Sequence, residues 1–269
     1  MEWTTVTSDL HWDDEVDVVC TDAGVAGLAG AISAVDEGAE VLVACAPAPE
    51  AGAAPDGQPG WFTLDFGDAQ TAAYLAELLD DLDPAGLPQL DEVLPIRTAA
   101  VIAAAPDRRI APFVGAQLRD WTARCISSPS GYLYTRVTDW NCAAMESGGG
   151  EGVEVAEIGP LPAGPGDIVG AVLEWLETEA NERGVRAYPV KRFERLVFDE
   201  GEVIGAVFAT TDGPWAVHAR HGVLFCRNGF PLGRATCPPG IGDTVSRVAL
   251  VGKLASRFGR VELLTPGEA

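Results

Sequence analysis

The sequence predicts an α/β architecture built on a parallel sheet, and three stretches point to it. The first is Asp17-Val18-Val19-Cys20-Thr21-Asp22-Ala23-Gly24-Val25-Ala26-Gly27-Leu28-Ala29-Gly30, an apolar strand that enters a tight turn and leaves as a helix of small residues. The second is Val41-Leu42-Val43-Ala44, an apolar run suited to a strand covered on both faces. The third runs from 168 to 226 and reads as helix, short strand, three-stranded meander and buried strand.

The first turn is close to a dinucleotide-binding signature. The usual spacing is G-x-G-x-x-G, and here its three positions hold Asp22, Gly24 and Gly27. Gly24 would let the backbone approach a pyrophosphate, and Gly27 would let helix and strand pack closely. Asp22 instead places a carboxylate, next to Ala23, where the chain should turn toward two phosphates. Strand, helix and strand within about thirty residues make one βαβ unit. The acidic residue that normally ends the second strand and holds the ribose hydroxyls is replaced by Ala44 or Cys45. Glu50 is the nearest carboxylate, beyond Pro47 and Pro49.

The chain has 269 residues, 47% of them hydrophobic, enough for a sizeable core in one or two domains. Its formal net charge is −22, from 40 acidic against 18 basic residues, so nucleic acid and anionic membranes are excluded as natural partners. No charged-then-apolar leader opens the sequence, and no apolar run approaches the roughly twenty residues that span a bilayer. The six cysteines, at 20, 45, 125, 142, 226 and 237, show no C-x-x-C spacing. Several fall in apolar strands, as small hydrophobes do. A cytoplasmic protein with reduced thiols is the expectation.

Ala51 to Gly60, rich in Gly, Ala, Pro and Asp, reads as a loop. Asp68 is placed to cap a helix reaching Leu82, with Tyr74, Leu75, Leu78, Leu79 and Leu82 on one face. From 87 to 160 the pattern is mixed. Ile96 to Ala105 suits one strand or two, Val114, Leu118, Trp121 and Cys125 recur at helical spacing, and Ser147 to Gly152 is a turn or hairpin tip. Asp167 then opens a helix from Ile168 to Arg183, with Ile168, Val172, Trp175, Leu176 and Ala180 on its buried face and Gly184 closing it. Strands are expected at Val185–Val190, Arg192–Asp199, Glu202–Thr210, Trp215–Ala219 and Gly222–Cys226, with hairpin turns at Glu200-Gly201 and Asp212-Gly213. Gly240-Ile241-Gly242-Asp243-Thr244 is expected to open a last helix that runs to Phe258 and stops at Gly259.

These stretches resemble the flavoprotein subunits of fumarate reductase and succinate dehydrogenase, and their relatives the 3-ketosteroid Δ1-dehydrogenases. The similar segments are Asp17 to Val43, Gly166 to Phe230 and, more loosely, Gly240 to Arg257. The resemblance implies a Rossmann-like FAD-binding domain with a parallel sheet and a β-meander crossover, its capping domain mostly missing. It implies three segments: 1–82, the N-terminal dinucleotide-binding βαβ part; 83–165, an irregular insert or cap remnant; and 166–269, the helix, meander and C-terminal part of the same domain. It also implies a cofactor-binding set of Asp22, Ala23, Gly24, Gly27, Gly52, Gly229, Gly240 and Gly242.

The departures from that family are as informative. Where its strand after the meander ends in Ala-Thr-Gly-Gly-Phe, this chain has Cys226-Arg227-Asn228-Gly229-Phe230. The Gly-Gly-Thr/Ser element that wraps the pyrophosphate corresponds to Glu50-Ala51-Gly52-Ala53-Ala54, with one glycine and no hydroxyl. A carboxylate near a pyrophosphate costs on the order of 1–4 kcal/mol at near-surface dielectric. A lost charge-assisted bond to the ribose removes about 1.5–3 kcal/mol more. FAD binding is therefore expected to be weakened. No residue is assigned a catalytic role and none a metal. His218 and His221 lack a carboxylate or thiol partner in motif spacing, and no G-x-S-x-G elbow or Walker-type loop is present.

The function implied is a degenerate flavoprotein-fold protein that is not catalytic alone. Its partner is another copy of itself or an active flavoenzyme subunit. The alternative is a divergent FAD-dependent oxidoreductase acting on an apolar, steroid-like or dicarboxylic substrate.

Overall fold

The computed structural model describes residues 10–47, 67–80, 82, 94–101, 115–137, 142–162, 168–226 and 246–266. In chain order these form β1 (Asp14–Cys20), α1 (Val25–Asp36), β2 (Val41–Cys45), α2 (Ala69–Glu77), β3 (Ile96–Val101), α3 (Gly115–Ser127), β4 (Gly131–Tyr134), β5 (Ala143–Ser147) and β6 (Gly152–Leu161). They continue with α4 (Ile168–Glu182), β7 (Ala187–Pro189), β8 (Arg192–Asp199), β9 (Glu202–Ala209), β10 (Pro214–Cys226), β11 (Ser246–Gly252) and β12 (Phe258–Pro266).

Among the described residues the twelve strands join in one mixed sheet. One part, in the order β10-β1-β2-β7, is parallel throughout. Its three inner strands are apolar at their centre, with Val19, Cys20, Val43, Ala44, Val223 and Leu224 fully buried, while edge strand β7 is exposed. Such burial suits a parallel sheet covered by helices. α1 packs against β1, β2 and β10 on one side and α4 on another. Its small residues allow that closeness: a Cβ on Gly30 would stand 2.2 Å from Leu224 Cδ2.

β3, β5, β6, β11 and β12 pair mostly antiparallel and curl into a ring. β12 pairs with β11, β11 with β6, β6 with β5, β5 with β3, and β3 returns to the other edge of β12. β4 bridges ring and parallel sheet by pairing with both β12 and β10. Ring closure removes the open edges that a separate five-strand sheet would carry. The stretch 87–160, whose periodicity left its topology open, thus contributes β3 to β6 and α3.

Two sequence expectations are corrected here. The last helix, read from Thr244 to Phe258, is replaced by the hairpin of β11 and β12. Val248-Ala249-Leu250-Val251 is an apolar run short enough to satisfy either period, and pairing with β6 and β12 decides it. The third meander strand and the buried strand after it are one element, β10, which pairs with β9 over Pro214–His218, with β1 over Val217–Leu224 and with β4 over Leu224–Cys226. Gly222, at φ 138°, lets the strand deform between those duties, close to Thr135 and Tyr134.

Other local signals hold. Glu200 and Gly201 both take positive φ in the β8–β9 turn, as the hairpin reading requires. Gly184, at φ 74°, follows α4, while Asp167 lies outside the described residues. α2 ends at Glu77 rather than Leu82; Leu78 to Asp80 form turns, and the Leu82 amide donates to Leu79 O at 2.8 Å. Asp68 caps α2, accepting from the Thr71 amide and hydroxyl at 2.7 Å each, while the Leu196 amide donates to Thr71 Oγ1 at 2.9 Å. The cap therefore also fixes α2 against β8. Asp68→Ala is expected to cost about 1–2 kcal/mol, the upper part of the capping range. Chemical denaturation checks it, and a loss below a few tenths would show that the cap is solvent-replaceable.

Candidate functional site

The turn after β1 is anchored to β10. Thr21 is buried, its amide donates to Leu224 O at 3.0 Å, and its hydroxyl accepts from the Cys226 amide at 3.0 Å. The next residue, Asp22, folds back over the start of α1, where Oδ2 accepts from the Gly24 amide at 2.9 Å. A carboxylate suits this place because the first amides of a helix have no partner within it and the helix dipole is positive there. Burial raises the Asp22 pKa above its ordinary value, while hydrogen bonds from the Gly24 and Ala23 amides oppose that rise.

Gly27 sits where helix and strand meet, and Gly24 lies against the chain's own carboxylate. A Cβ on Gly27 would stand 1.8 Å from the Asp22 carbonyl oxygen and 3.5 Å from Cys226 Sγ, so helix and strand meet at this position. A Cβ on Gly24 would stand 2.6 Å from Asp22 Oδ2. The backbone is bare where a phosphate could approach, and the group that approaches is the chain's own carboxylate.

The structure thus brings together Asp22, Ala23, Gly24 and Gly27. Gly52, Gly229, Gly240 and Gly242 lie outside the described residues, as do Glu50 and Arg227. At the end of β2, Ala44 is fully buried and Cys45 is exposed, so these two positions offer no carboxylate to a ribose. Among the described residues, the turn sets the Asp22 carboxylate where a pyrophosphate would lie, and the end of β2 sets none where a ribose would be held. The thiols around it are not poised as nucleophiles either. Burial pushes Cys20 up to about 12 and Cys226 well above its ordinary value, with Asp22 adding to both.

His218 and His221 flank an exposed ion-pair cluster on β10. Arg220 between them donates to Asp17 at 2.7 Å, Glu15 at 3.0 Å and Glu40 at 2.5 Å. His218 Nδ1 lies 3.5 Å from Glu15 and His221 Nε2 3.5 Å from Asp17. Among the described residues no group of three or more His, Cys, Asp or Glu is arranged to hold a metal ion. No helix among them is long and apolar enough to cross a membrane.

A second cluster, absent from the sequence reading, lies at the ring. Arg97 on β3 donates to Glu262 on β12 through Nε at 2.5 Å and Nη2 at 3.1 Å, a two-point pairing, and through Nη1 to Glu151 at 3.1 Å. Glu151 also pairs with Arg124 of α3 at 3.0 Å and with Lys253 at 2.8 Å. Arg260 Nε donates to Glu262 at 2.8 Å. The side chains of Glu262 and Lys253 have no solvent exposure, and those of Arg97 and Arg260 have 10% and 11%. Arg124, Lys253 and Arg260 all approach the ring of Trp121 at 5.4–5.5 Å. Trp121 is fully buried, and its Nε1 donates to Phe258 O at 2.9 Å.

This field moves the cluster's acids. Burial alone would raise Glu151, but hydrogen bonds from Lys253 and Arg97 outweigh it and hold its pKa at about 2. Glu262 is likewise held below its ordinary value: burial opposes, and Arg97 and Arg260 prevail. Burial, helped by the nearby guanidiniums of Arg97 and Arg124, lowers Lys253 against the pull of Glu151. A cavity of about 360 Å³ opens beside these groups, lined by Arg97, Arg124, Glu151, Arg260 and Glu262 together with Thr98 and the Ser147–Gly149 turn.

No protein-family model matches the chain, and no curated protein matches it in sequence. Among solved structures it is similar to the 3-ketosteroid-Δ4-(5α)-dehydrogenase of Rhodococcus jostii RHA1 in complex with 4-androstene-3,17-dione, at 20% identity and a TM-score of 0.36, over 82% of this chain and 47% of that one. It is also similar to the open conformation of a flavocytochrome c3 fumarate reductase, at 17% identity and 0.34, over 80% and 34%. A third is the glycine oxidase of Geobacillus kaustophilus, at 17% identity and 0.27, over 95% and 73%. The chain spans less than half the length of the first two. Likenesses at this level carry neither a family nor an activity to this chain.

Proposed function

We propose that the chain is a degenerate member of the flavoprotein fold that is not catalytic alone and acts as a partner or structural subunit. The observation behind this reading is the 2.9 Å bond from the Gly24 amide to Asp22 Oδ2. An internal carboxylate at a helix N-terminus meets the same need as a bound phosphate would, without an entropy cost of association. The parallel order β10-β1-β2-β7, with α1 following β1, supports a Rossmann-like frame. The partner in this reading is a second copy or an active flavoenzyme subunit.

Visible absorption of the purified protein, and its thermal stability titrated with FAD, test the reading. The wild type is expected to be colourless, with a melting temperature indifferent to FAD. Asp22→Gly is expected to gain a saturable rise of the melting temperature with FAD. A yellow wild-type protein, or one whose melting temperature climbs with FAD, would overturn the reading. It would favour an FAD-dependent oxidoreductase with an apolar, steroid-like or dicarboxylic substrate. Light scattering across a concentration series addresses the partner: a dimer favours self-association, and a persistent monomer favours a flavoenzyme subunit.

A further inference from the structure

We propose that the cavity beside β3 and β12 is a binding site for a small dianionic oxyanion. The argument begins with charge. The guanidiniums of Arg97, Arg124 and Arg260 line the cavity, and the buried ammonium of Lys253 is bound to its Glu151 wall. Among the described residues that line it, two carboxylates, Glu151 and Glu262, face them there. The excess of positive charge sits inside a chain of net charge −22.

Hydrogen-bonding capacity points the same way. Arg97 spends three of its nitrogens on carboxylates. Arg260 spends only Nε, and its two terminal nitrogens make no hydrogen bond with the described residues. A guanidinium with an 11% exposed side chain, its donors unspent beside a cavity, offers the planar fork that recognises carboxylate and phosphate oxygens. Trp121 holds Arg260 from below, with the guanidinium carbon 5.5 Å from the ring centroid, so the fork is positioned before a ligand arrives. Arg124 lies at the same distance from the ring and is 41% exposed, on the solvent side of the site. The volume of about 360 Å³ suits a phosphate or a short dicarboxylate.

This site is independent of the dinucleotide turn, since none of the residues around Asp22 lines it. The experiment is calorimetric titration and thermal stability of the full chain with inorganic phosphate and with succinate, each against sodium chloride of equal ionic strength. At least one dianion is expected to give saturable binding and a rising melting temperature that chloride does not reproduce. Arg260→Gln is expected to abolish that binding. Arg124→Gln, on an exposed helix face, is expected to weaken it about tenfold while leaving the fold intact, and it decides the question if Arg260→Gln fails to fold. A response to phosphate alone assigns a phosphoryl ligand, and one to succinate alone a dicarboxylate. No saturable response to either dianion, or one equal in chloride or unchanged in the folded variants, overturns the proposal.

Discussion

Glu262→Ala is expected to lower the free energy of unfolding by about 3–5 kcal/mol, the cost of breaking a buried ion pair from one side. Glu262 has no solvent exposure and holds Arg97 at two points and Arg260 at a third. Removing it leaves Arg97 beside Glu151 alone and takes the described carboxylate from Arg260. Urea denaturation measures the loss, and an unchanged m-value would show that the midpoint shift is one of stability. A loss under about 1 kcal/mol would mean that water reaches both guanidiniums, as at a surface pair. Because Glu262 and Glu151 are both depressed in the folded state, their contribution is complete above the ordinary value of 4.5. For Glu151 it is lost as the pH falls from there through about 2. Acid denaturation of the wild type is therefore expected to steepen in that window, and the step should shrink in the Glu262 variant.

Gly27→Ala is the second large effect, and it comes from backbone rather than charge. The added methyl would stand 1.8 Å from a carbonyl oxygen that cannot rotate away, because it belongs to the turn between β1 and α1. Either α1 lifts from the sheet or the turn moves, and both disturb Leu28, Ala29 and Ile32, which are buried. The cost is expected to reach or exceed the about 1–3 kcal/mol of ordinary overpacking. Gly38→Ala, whose Cβ would meet nothing within 4 Å, separates the effects: its φ of 86° makes it a case of strain without collision. If Gly27→Ala were as stable as wild type, the close meeting of helix and strand would be absent in solution.

The glycine spacing at 24 and 27, the apolar run at 41–44 and the meander with its Glu200-Gly201 turn were legible because each expresses a local rule. Such rules tie a residue type to a backbone angle or a neighbour a few positions away. The last helix was misread because Val248 to Val251 satisfies two periods, and only a partner strand distinguishes them. The cluster at the ring had no local signal at all: Arg97 and Glu262 are 165 residues apart, and no spacing rule joins them.

By itself, then, the sequence determined that β1 ends in a turn holding a carboxylate, that small residues follow it, and that α4 and the meander stand where they do. These depend on interactions within one element or one turn. The tertiary structure alone decided that Asp22 folds back to the Gly24 amide rather than pointing to solvent. It alone decided that β11 and β12 are strands closing a ring, and that four cations meet two carboxylates, three of the cations beside Trp121. Burial and strand pairing between distant segments set those outcomes, and neither is a property of any short stretch of chain.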